Sequence, residues 1–70
     1  MRKQVEKHFR ITYIKTVDMV GPTCVAHKED YALEDIQDVL DRYKELSAKP
    51  NVTSLNLLMV EIYVVNPEEL

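Results

Sequence analysis

Asp30–Lys49, DYALEDIQDVLDRYKELSAK, decides how this chain folds. Leu33, Ile36, Val39, Leu40, Tyr43 and Leu46 recur at spacings of three and four, the repeat of one helical face. Glu34, Asp35, Asp38, Asp41, Arg42 and Glu45 fall mostly elsewhere on the wheel. The stretch has no Gly or Pro and is rich in good helix formers. Asp30 is expected to cap the N-terminus, its carboxylate accepting from the free N–H groups of the first turn. Glu34 and Asp35 lie near the positive end of the helix dipole, and Lys44 and Lys49 near the negative end. Asp38–Arg42 and Glu45–Lys49 are i,i+4 acid-before-base pairs, each contributing about 0.2–0.5 kcal/mol. Pro50 stops the helix and biases Lys49 away from helical angles. The six apolar residues read as a core stripe, and the acidic face as a solvated surface.

The flanking segments read as strands. From His8 to Met19 the pattern HFRITYIKTVDM alternates: Phe9, Ile11, Tyr13 and Val17 point one way, and His8, Arg10, Thr12, Thr16 and Asp18 the other. Ile14 and Lys15 are the two exceptions. Val20-Gly21-Pro22-Thr23 signals a turn. Gly21 is the one glycine in the chain and is expected to hold a backbone angle that other residues resist. Thr23–Lys28 reads as a short second strand pairing back on the first, with an irregular loop as the alternative. After the helix, Asn51 suits a left-handed C-terminal position. Thr53–Val65 then forms the last strand, since its Val, Ile and Tyr content favours sheet over helix, and Asn66-Pro67 ends it.

These elements predict an α+β fold of ββαβ type. The three-stranded sheet is antiparallel, in the order 2-1-3, with the helix packed on one face. Residues 1–70 form a single domain, with 1–7 as a polar leader and 66–70 as a tail.

The last strand carries the functional signal. Leu58, Val60, Ile62 and Val64 lie on one face; Leu55, Leu57, Met59, Tyr63 and Val65 lie on the other, broken only by Glu61. A strand with one wet face alternates apolar and polar residues, and this one does not. A single helix covers one face of such a sheet, so the second face or the edge requires another cover; left bare it is an aggregation hazard. A chain of 70 residues buries only about 60% of the surface its unfolded form exposes, which makes a lone monomer marginal. The expectation is a non-enzymatic protein–protein interaction or accessory module, a homodimer or the partner of a larger protein, with Leu55, Leu57, Met59, Tyr63 and Val65 as the interface.

The net charge of −3 hides a basic N-terminal segment: Arg2, Lys3, Lys7, Arg10 and Lys15 against Glu6. The alternative function is therefore a small nucleic-acid-binding regulator that uses Lys3, Lys7, Arg10 and Lys15, with binding that weakens steeply in salt. Against it, the remainder of the chain is acidic.

Other chemistry is weakly signalled. Cys24 and His27 are three residues apart, but zinc sites usually show more cysteines. On a strand the two side chains point to opposite faces, which excludes a Cys–His nucleophile pair. Glu34, Asp35, Asp38 and Asp41 are spread along a helix rather than wrapped in a calcium loop. One glycine cannot build a phosphate loop. No enzyme, cofactor or metal site is expected. A single cysteine fits a reducing compartment. There is no apolar signal region, and runs such as Leu57–Val60 are far too short to span a bilayer. The expected location is the cytoplasm, without membrane association.

Overall fold

The computed structural model describes residues 3–18 and 20–69. Met19, Arg2 and Leu70, which the sequence reading assigned to the first strand, the basic segment and the tail, lie outside the described residues. Strand β1 spans Lys3–Asp18, β2 spans Pro22–Tyr31, helix α1 spans Ile36–Ser47 and β3 spans Val52–Val64. A single 3-10 turn, Leu33–Asp35, leads into α1, and another, Pro67–Glu69, follows β3. The sheet is three-stranded and antiparallel, in the order β2-β1-β3. This is the ββαβ arrangement the sequence predicts.

Both hairpin strands are longer than their local patterns suggest. Lys3–Lys7 reads as a polar leader, yet it is strand, because the apolar end of β3 pairs with it: Lys3 lies opposite Val64 and Gln4 opposite Tyr63. The register then shifts between Gln4 and Glu6, which leaves Val5 as the extra residue. β2 runs on past Lys28 to Tyr31 because β1 offers partners that far: Arg10 faces Asp30 and Phe9 faces Tyr31. Asp30 is therefore a strand residue and not the helix cap. Its carboxylate accepts from Arg10 Nε at 2.6 Å, and the helix begins only after the turn at Leu33–Asp35.

Asn51 also differs from expectation. It does not adopt a positive φ; among the described non-glycine residues that conformation belongs to Ser54, at φ 53°. Asn51 instead joins the helix exit to β1. Its carbonyl accepts from Thr16 N at 2.9 Å, and its side-chain amide donates to Thr16 O. Ser54 sits in a bulge of β3, where two residues, Ser54 and Leu55, oppose Tyr13. Strict alternation puts Val52 and Leu55 on opposite faces. The bulge reverses the parity, so both pack against the core on the helix side.

Gly21 holds φ 104° in the β1–β2 turn, as its uniqueness suggested, and a Cβ there meets nothing within 4 Å. Gly21→Ala is thus expected to cost backbone strain alone, about 1–2 kcal/mol. A shift of the urea midpoint without a change in slope checks this.

The core is small. Ile11 and Tyr13 of β1 and Val39 and Leu46 of α1 are the buried apolar residues described, with Phe9, Tyr31, Tyr43, Val52 and Leu55 packed around them. Element lengths explain why. The 12 residues of α1 make a rod of about 18 Å, whereas the 16 of β1 extend about 53 Å. The helix covers well under half of one sheet face. Leu33, Ile36 and Leu40, part of its apolar stripe, remain exposed.

Candidate functional site

The position of α1 determines which part of the sheet is left bare, and a polar network fixes that position. Arg42 of α1 reaches Glu29 of β2 with two nitrogens, Nε and one Nη, each donating at 2.9 Å. Tyr13 and Tyr31 donate their hydroxyls to the same carboxylate, at 2.7 and 2.8 Å. Arg42 also donates to Glu45 rather than pairing with Asp38, while Glu45 keeps its contact with Lys49 at 3.8 Å. Hydrogen bonding from Arg42 holds the Glu29 carboxyl down at about 2, against the opposing effect of burial. Burial, followed by the bond to Glu29, pushes the Tyr31 phenol up to about 12. Held this way, α1 sits over β1, the end of β2 and the beginning of β3.

What remains bare is the outer half of β3. Ile11 lies opposite Leu57 and Phe9 opposite Met59, so Leu57 and Met59 share the helix-side face. Arg10 lies opposite Leu58 and His8 opposite Val60, which puts those residues on the face without a helix. The alternation read from the sequence holds from Leu57 to Val64, whereas Val65 lies beyond β3, and the helix lies on the side of Leu55, the face the sequence reading gave to the interface. Of the five residues read as an interface, Leu55 packs against the core. Leu57, Met59, Tyr63 and Val65 lie beyond that packing, and together with Leu58, Ile62 and Val64 they are 38–55% exposed. The bare surface thus includes both faces of the strand. Leu58, Ile62 and Val64 belong to it too, and sequence alone did not place them there because it could not say which face the helix takes.

The two sheet edges differ. β2 begins with Pro22 and carries Lys28, Glu29 and Asp30, devices that discourage pairing with another strand. β3 carries one charge, Glu61, which is drawn onto the sheet by Lys7 at 3.6 Å and by the Tyr63 hydroxyl.

The basic residues do not converge. Lys7 faces the helix side with Glu61, whereas Arg10 faces the other side and is bound by Asp30 through two nitrogens. Lys3 lies opposite Val64 at one end of β1, and Lys15 lies opposite Val52 and Val25 toward the other. Cys24 and His27 occupy opposite faces of β2. Cys24 lies beside Thr16 across the strand pair, and His27 stacks on Tyr13 at 5.2 Å between ring centres.

One further cluster joins two segments distant in the chain; the sequence offered His8 with Glu29 or Asp30 only as completing a weak zinc set with Cys24 and His27, and the structure places His8 between Glu6 and Asp30, away from both. The buried His8 ring has Glu6 Oε1 3.0 Å from Nδ1 and Asp30 Oδ1 3.5 Å from Nε2. Neither contact has hydrogen-bond alignment despite the short distances. A cavity of about 220 Å³ adjoins it, lined by Glu6, His8, Asp30, Tyr31 and Ala32. The two carboxylates approach different ring nitrogens, so they and the imidazole do not converge on one ion.

Comparison with protein-family models, with curated proteins and with solved structures yields no match. No described helix is long and apolar enough to cross a membrane.

Proposed function

We propose that this chain is a small non-enzymatic interaction module that self-associates through β3. One observation carries the reading: the chain exposes far more surface than a self-contained protein of its mass. Its accessible surface is 5429 Å² for 8.2 kDa, where about 4,500 Å² is usual. Its radius of gyration is 16.1 Å, where a compact domain of this length has about 11 Å. The excess of about 900 Å² is close to what each partner buries in a standard interface, about 800 Å². Leu57, Met59, Tyr63 and Val65 are the apolar residues assigned to that contact, joined by Leu58 and Ile62.

Light scattering across a concentration range tests the reading. A dimer is expected for the unmodified chain. Met59→Lys or Leu57→Lys is expected to give monomer, with the dissociation constant raised at least a hundredfold, the effect of about 3 kcal/mol from an unpaired buried charge. An unchanged dimer in both variants removes these residues from the interface. A monomeric unmodified chain removes self-association and leaves a different protein as the cover.

A further inference from the structure

We propose that two copies of this chain join through the free edges of β3, antiparallel about a two-fold axis perpendicular to the sheet, making one six-stranded sheet with both α1 helices on the same face. This rests on the self-association reading above and specifies its geometry and its partner, a second copy. Three observations lead to it.

The first is the contrast between edges. β2 carries proline and several charges, whereas from Leu55 to Val64 the edge of β3 carries only Glu61. A sparsely charged strand edge, with backbone N–H and C=O groups directed outward, is a template for another strand. A partner that brings the same edge satisfies those groups without any further element.

The second is the distribution of apolar surface. Leu57 and Met59 are exposed on the helix side, and Leu58 and Ile62 on the other. A partner docked on one face leaves the other face bare. A strand added at the edge brings side chains beside both faces at once. Along Leu55–Val64 the edge offered by each copy is about 33 Å long, an upper bound on the shared length.

The third is symmetry. Residues directly opposite in an antiparallel pair point to the same side of the sheet. Under this two-fold, opposite residues must therefore be separated by an even number, and one residue sits on the axis facing its own copy. Glu61 is disfavoured there, since like charges directly opposite destabilise a pair. The bulge at Ser54 breaks regular pairing at the other end. The axis then passes through the run Leu57–Val60.

Cysteine scanning reads that position. In a Cys24→Ser background, single cysteines are placed in turn at Asn56, Leu57, Leu58, Met59, Val60 and Glu61, and each variant is oxidised and run without reductant. The residue on the axis has its own copy about 5 Å away, within disulfide reach, and its immediate neighbours are offset to about 8 Å, beyond it. The expected result is one maximum within Leu57–Val60, forming covalent dimer at least tenfold faster than the positions on either side. Hydrogen exchange of the unmodified chain gives a second reading free of substitution: alternate β3 amides gain protection as protein concentration rises. A dimer by light scattering with a flat cross-linking profile and no such protection overturns edge pairing while self-association stands. A monomer at all concentrations overturns both.

Discussion

Ile11→Ala is expected to lower stability by about 3–4 kcal/mol, toward the upper part of the range for truncating a buried branched side chain. Ile11 is fully buried at the centre of the middle strand, with Glu29 on one side, Leu57 on the other and Val39 and Leu46 in the same cluster. The usual margin of 0.05–0.15 kcal/mol per residue gives this chain about 4–10 kcal/mol in total. Removing Ile11 therefore takes a large part of it, because few other buried residues share the task. Ile62→Ala, on the exposed part of β3, is expected to change the monomer's stability by only about 0.5 kcal/mol. Urea unfolding followed by circular dichroism separates the two cases. It is to be run at one fixed protein concentration, since association adds to apparent stability. An Ile11→Ala cost below about 1 kcal/mol would mean that this cluster is not what holds helix to sheet.

The fold was readable because its local signals agree. The 3,4-repeat of the helix, the alternation of β1 and the β-branched content of β3 each select one element, and antiparallel connections by a short turn and one helix leave the order 2-1-3. The boundaries were less readable, since pairing partners set them. Lys3–Lys7 has no strand pattern of its own and is recruited by β3. Asp30 has the chemistry of a cap, but the two-nitrogen contact with Arg10 keeps it in the sheet. The two-sided apolar character of β3 was plain in the sequence. Which side the helix would take was not, because that depends on Arg42 meeting Glu29 across 13 residues and on a bulge at Ser54 that no turn residue announces.

Glu29→Gln is the second substitution with a large expected effect, and its size should depend on pH. Glu29 accepts from Arg42, Tyr13 and Tyr31, and its side chain is 24% exposed, so solvent screens the cluster only in part. Its carboxyl falls from 4.5 to about 2 in the folded chain, chiefly through the Arg42 hydrogen bonds. A depressed carboxyl stabilises the fold above its unfolded value and loses that contribution as pH falls through its folded value. The window therefore runs from about 4.5 down to about 2. The full shift corresponds to ~3 kcal/mol at pH 6, of which roughly half remains at pH 3. Glutamine keeps one acceptor oxygen and cannot change charge, so the difference between the two proteins should narrow by about half over that interval. Asp30 and Glu61 are also held low, by Arg10 and by Tyr63 with Lys7, but both proteins share them and they cancel in the comparison. Urea midpoints of both proteins at pH 6 and pH 3 measure the difference. A gap that stays constant would mean that Glu29 acts through shape alone. A narrowing gap would assign the helix its position by charge, and with that position the length of β3 that stays uncovered.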